Sequence, residues 1–155
     1  MTNVMRHNIA ERSGPHVHQP HAVEIPAVER CSVGLAAHTG GLTDAVRIPA
    51  GHDLILLPGM SALVPVDGFI SKSATEQFAQ AWRNVQIALR AADADLSDIV
   101  MIRTWLTNAD DITAYHAVES QLIRHQPAAT VVVVERLMRS EFCVLVEVVA
   151  AVLRR

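Results

Sequence analysis

The sequence predicts an α+β protein in which two helices stack on one face of a mixed sheet. Three observations carry that expectation. One segment shows a sustained amphipathic period, a second is bounded by cap residues and a proline, and about five short apolar runs leave more strands than two helices cover on both sides. The 155 residues, half of them hydrophobic and 19% charged, fit a single packed domain rather than a disordered chain. A chain of this size buries roughly 70% of the surface that its unfolded form exposes, so a core forms without disulfides or a structural metal.

Residues 1–30 read as an N-terminal arm, with four histidines (His7, His16, His18, His21), three prolines and no sustained apolar period. Residues 31–155 then form the domain. The turn His38-Thr39-Gly40-Gly41 leads into two strand-like runs, Asp44 to Ile48 and Asp53 to Pro58, parted by Pro49-Ala50-Gly51. That spacing predicts an antiparallel pair. Residues 73–92 read as the first helix. Phe78, Trp82, Val85, Leu89 and Ala92 recur at helical steps, with Gln77, Gln80, Arg83, Asn84 and Arg90 elsewhere, and Ser73 with Glu76 resembles a capping box.

Ile99 to Leu106 is strand-like. Asn108 to Asp111 supplies cap residues for a second helix, Asp111 to His125, whose apolar face is Ile112, Tyr115, Val118 and Leu122, and Pro127 stops it. Two strands close the chain: Thr130 to Glu135, a valine run of the kind buried on both faces, and Cys143 to Leu153. The last strand is apolar at both parities, Val144, Val146 and Val148 against Cys143, Leu145 and Val149. Its second face therefore needs a cover from outside the chain, and self-association supplies one.

Thirteen scattered Lys and Arg against sixteen Asp and Glu, a net charge of −3, offer no footprint for nucleic acid. The longest aliphatic segment, Phe142 to Leu153, is interrupted by Glu147 and too short to span a bilayer, and no signal-peptide stretch opens the chain. Cys31 and Cys143, far apart and outside any Cys-x-x-Cys spacing, read as free thiols in a reducing cytoplasm. The spacing His16-x-His18-x-x-His21 matches no structural zinc pattern. No phosphate loop, nucleophile elbow or nucleotide fingerprint is present, so neither metal nor cofactor is expected.

In order along the chain, DLILLPGMSALVPVDG, TEQFAQAWRNVQIALRAADADLSDIVMIRTWLTNADDI, QPAATVVVVERL and VLVEVVA resemble the reactive intermediate deaminase family (RidA, YjgF). The resemblance implies a chorismate-mutase-like α+β fold, a homotrimer whose sheets pack into a central barrel, and ligand sites in the clefts between subunits. Active members hydrolyse 2-aminoacrylate-type enamines and imines to keto acids and ammonia. Position by position, the family's carboxylate-gripping arginine falls on Ala129 and the cysteine two residues later on Val131. The pocket tyrosine falls on Leu42, the glutamine of the Ser-Gly-Gln-like turn on Met60 with Gly59 retained, the second helix's phenylalanine on Ile112 and its asparagine on His116. The last strand's glutamate is kept as Glu147.

A methyl group cannot make the bidentate, charge-assisted bonds by which a guanidinium holds a carboxylate. The expected ligand is therefore a small molecule lacking a carboxylate. Glu147, in an aliphatic strand, is either ion-paired or an acid or base whose proton affinity burial has raised. His116, one helical turn after Ile112, is either solvated or satisfied, or the partner of Glu147 in proton transfer. Arg103, interrupting another apolar strand, reads as paired or solvent-facing at a sheet edge, and Arg136 and Arg139 as solvated. The implied activity is hydrolysis of an imine or enamine, or a related proton-transfer, elimination or cyclisation step. The alternative is a catalytically silent metabolite-binding or interaction protein of the same fold.

Overall fold

The computed structural model describes residues 26–36 and 43–154. The strands are β1 (Glu29–Cys31), β2 (Ala45–Arg47), β3 (His52–Met60), β4 (Ile99–Leu106), β5 (Ala128–Val133) and β6 (Val144–Leu153), and the helices are α1 (Ala74–Ala91) and α2 (Ile112–Leu122). Four strands form the main sheet in the order β3-β6-β4-β5. Only β4 and β5 run parallel, joined across α2, and the other two pairings are antiparallel. The expected class, two helices on one face of a mixed sheet, is what the chain forms.

One side of the sheet and the two helices share a single core. Val144, Val146, Val148 and Ala150 of β6 pack there with Phe78, Trp82, Val85 and Leu89 of α1 and Tyr115 of α2. Alternate residues of a strand point to opposite faces, so Leu145, Glu147 and Val149 project the other way. There the register sets Leu56 of β3 beside Val149, Trp105 of β4 beside Leu145, and Arg103 beside Glu147. Among the described residues nothing covers this bare face, and Leu56 is 71% exposed.

Several local expectations are corrected. The runs around Ala45 and Leu54 do not pair with each other: β2 pairs with β1, while β3 takes the edge beside β6. Because β1 begins at Glu29, the last two residues assigned to the arm are already strand. Strand β3 runs on through Pro58 to Met60, and the register shift between Leu57 and Met60 accommodates a proline that has no N–H to donate. The valine run is not buried on both faces, because β5 is an edge strand with Val132 at 42% exposure.

Helix α1 ends one residue before Ala92, its C-cap. Ser73 caps its N-terminus by accepting from the Glu76 N–H, while the Glu76 carboxylate accepts from Ser71 and leaves the box half made. Gln77 is buried rather than set apart from the core. Its amide donates to the carbonyls of Ser71 and Glu141 and accepts from the Cys143 N–H, tying the helix start to the entry of β6. Helix α2 stops at Leu122, five residues before Pro127, and Leu122 is exposed. Its inward face is rotated toward Tyr115 and Glu119, the buried pair of that helix.

Candidate functional site

The residues singled out by the sequence divide between the two faces of the sheet. On the bare face, Arg103 donates from a guanidinium N–H to Oε1 of Glu147 at 2.8 Å, with side chains 48% and 29% exposed. This is the paired reading of both residues, although β4 is an interior strand and not the edge expected for Arg103. Leu145, Val149, Met101 and Trp105 flank the pair by register, and Thr130 of β5 stands beside Arg103, so the ion pair sits in a mainly apolar surface.

On the helix side, Ala129 is in register with Ile102 and Val131 with Thr104. Ala129, Val131, Ile112 and Met60 all pack against the core. Gly59 lies exposed at the β3 irregularity, where an added Cβ would stand 3.4 Å from Leu145. Leu42 and the histidines at 16, 18 and 21 lie outside the described residues. Among the described residues no cluster of three potential metal ligands forms.

Within one chain, Ala129 and Glu147 face opposite sides of the sheet. Ile102, the neighbour of Ala129, pairs with Val148, whereas Glu147 pairs with Arg103. The proton-transfer pair of His116 with Glu147 is likewise not made within a chain. His116 sits on α2, and its Nδ1 lies 3.0 Å from Oε2 of Glu119, three residues on. The carboxylate beside His116 within the chain is Glu119, on its own helix.

Glu119 is the residue that sequence reasoning missed. It is buried, its side chain 6% exposed, and its Oε1 accepts the Tyr115 hydroxyl at 3.1 Å. The Tyr115 oxygen lies 2.7 Å from the Thr104 hydroxyl. Burial first, and the neighbouring carboxylate second, push the Tyr115 hydroxyl far above the ordinary tyrosine range, so it stays protonated as a donor. Spacing carried a usable signal: Glu119 follows Tyr115 by four residues, which places both on the same helical face.

The remaining polar residues stand apart. Arg139, expected to be solvated, pairs with Glu141 at 3.0 Å and lies 5.3 Å from the Phe142 ring centroid. Both cysteines are free, as expected. Cys31 is exposed, and burial, with the Asp111 charge as a second cause, raises the half-buried Cys143 thiol to about 11. A cleft of about 700 Å³ lined by Phe69, Lys72, Asp111, Arg139 and Cys143, among others, holds none of the residues named as site candidates.

A mixed sheet clothed by helices on one face and bare on the other, with a carboxylate set among apolar residues on each, is the class of protein this geometry defines. The family model described as Endoribonuclease L-PSP matches residues 37–152. That is well over half of the chain, which therefore belongs to this family, the one expected from its resemblance to RidA and YjgF.

Solved structures share the fold. RidA from the Antarctic bacterium Psychrobacter aligns with a TM-score of 0.62 at 21% identity, covering 71% of this chain and 87% of its own. The YjgF gene product of E. coli gives 0.60 at 23%, covering 70% and 85%. Rv2704 of Mycobacterium tuberculosis, a member of the YjgF/YER057c/UK114 family, gives 0.58 at 24%, covering 81% and 100%. None of the curated proteins compared matches the sequence. Among the described residues no helix is long and apolar enough to cross a membrane.

Proposed function

We propose that three copies of this chain close their bare sheet faces into a barrel, and that the clefts between them act on a small imine or enamine lacking a carboxylate. The observation that carries this reading is Ala129. Where the family resemblance sets an arginine, a half-buried methyl packs against the core and offers an anionic substrate no counter-charge. Ala129 and Glu147 lie on opposite faces of one chain, which counts against a site shared by both within a chain, so the reading requires that the cleft take them from two different chains. In this reading the domain begins by Glu29, residues before it form the arm, and the two free cysteines suit a reducing compartment.

Glu147 is the acid or base of the proposed step. In hydrolysis, water adds across C=N, the nitrogen gains a proton, and the C–N bond breaks to leave a carbonyl compound and an amine. Exclusion of water from most of the apolar cleft would strengthen the carboxylate's hold on the developing charge. A neutral aldimine such as N-benzylidenemethylamine, whose C=N absorbance disappears on hydrolysis, tests the reading. Wild-type protein is expected to accelerate the loss, and Glu147→Gln to lower kcat by about 10²-fold. Equal turnover by the variant removes Glu147 from the mechanism.

One observation favours a second reading, a catalytically silent binding protein. Both proton carriers named from the sequence already hold ionic or hydrogen-bonding partners, Glu147 with Arg103 and His116 with Glu119. Under that reading the aldimine decays at its uncatalysed rate in the presence of wild-type protein. The endoribonuclease activity in the family's description has no support in the charge pattern, because the net charge is −3 and the cations are scattered.

A further inference from the structure

We propose that Thr104, Tyr115, Glu119 and His116 form one polar thread from the core to the surface, in which His116 Nε2 is a proton acceptor and Glu119 the residue that positions it. The proposal rests on the reading of the chain as an imine-processing enzyme only for its substrate, because the thread itself is defined by geometry. Tyr115 has a single hydroxyl hydrogen. Directed to Glu119 Oε1 at 3.1 Å, it leaves the tyrosine oxygen free to accept, so the Thr104 hydroxyl 2.7 Å away is the donor. Glu119 Oε2 then faces His116 Nδ1 at 3.0 Å. An ionised Glu119 can only accept, so with a carboxylate at Oε2 the neutral imidazole carries its hydrogen on Nδ1.

That assignment has a chemical consequence. An imidazole protonated at Nδ1 presents a lone pair at Nε2. His116 makes no other hydrogen bond among the described residues, and its side chain is 40% exposed whereas Glu119 behind it is 6% exposed. The Tyr115 ring meets the imidazole edge-on, with centroids 5.7 Å apart, which further limits its rotation. When Nε2 takes a proton from water or from a carbon acid beside C=N, the N–H bond forms as the other bond to hydrogen breaks. The electron pair of the broken bond stays on the oxygen or carbon that held the proton, and the imidazolium is held by a carboxylate already in place.

Nitrogen-15 NMR of the intact wild-type protein, with the His116 resonances assigned by loss in His116→Gln, reads the tautomer without any ligand. The neutral ring is expected to be predominantly the Nδ1–H form, and Glu119→Gln to lose that bias. A predominantly Nε2–H ring in wild type, or an unchanged tautomer in a folded Glu119→Gln, overturns the proposal. Should Glu119→Gln fail to fold, the wild-type spectrum alone decides. N-benzylidenemethylamine provides the second arm. If it is hydrolysed, Glu119→Gln is expected to lower kcat about tenfold or more with KM unchanged, and an unchanged kcat overturns the positioning role. If wild type leaves it intact, the imine reading fails while the tautomer still decides the thread.

Discussion

The two faces of the sheet each place a carboxylate in aliphatic surroundings and accommodate it differently. On the helix side, Glu119 is buried and receives its donors from its own neighbourhood, Tyr115 four residues before it and His116 three residues before it, with Thr104 behind. On the bare side, Glu147 remains partly exposed beside Arg103, with Leu56, Leu54 and Val132 exposed on the same face. The helix-side carboxylate is complete within one chain. The bare-side pair sits on an apolar surface that no described residue of its own chain covers.

The largest effect expected separates the faces by stability. Trp82→Ala, in the shared core, is expected to cost about 3–5 kcal/mol and to lower the melting temperature sharply in a thermal scan. Leu56→Lys, on the bare face, is expected to leave the fold intact within about 0.5 kcal/mol while reducing the mass by sedimentation equilibrium from about three chains to one. A bare-face variant that keeps the assembled mass would show that the interface lies elsewhere.

Smaller effects distinguish the two carboxylates. Glu119→Ala removes the acceptor of the Tyr115 hydroxyl, leaving Thr104 as its remaining partner, and is expected to cost about 1–3 kcal/mol by denaturant titration. The Arg103–Glu147 pair is half exposed in the single chain, and a double-mutant cycle on dissociated protein is expected to return about 1 kcal/mol or less. A cycle energy larger than the Glu119 cost would reverse the contrast.

The smallest effect lies at the chain's other end. Asp44 accepts backbone N–H groups from Val33, Ala36 and Gly34, and those bonds, led by Val33, hold its carboxyl below the usual 3.8. A depressed carboxyl stabilises the fold above its unfolded value and loses that contribution as pH falls through its folded value. Acid titration followed by NMR is therefore expected to show the Val33 and Gly34 amides released only below the ordinary aspartate range, with Asp44→Asn removing that transition.

The sequence made much of this contrast legible, and the parts it hid have physical causes. Helix α1 and strands β4 and β6 carry long, regular apolar periods, and their limits were read within a residue or two. The pairing of β2 with β1 was hidden because three-residue exposed strands have almost no periodicity to betray a partner. The valine run of β5 has the composition of a central strand, yet composition does not say which strand stands next to it, and the last strand of the chain takes the interior position. The pairing of Glu147 was one of the two readings open from its aliphatic neighbours. Glu119 is hidden from an apolar pattern on α2, because a carboxylate satisfied by Tyr115 and His116 occupies the buried face as well as an apolar residue does.

The central claim is that Ala129 leaves the site without an anchor for a carboxylate, and ammonia release from freshly generated 2-aminoacrylate tests it directly. The wild-type protein is expected to release ammonia no faster than the buffer alone. Release as rapid as that by a relative bearing the arginine would contradict the account.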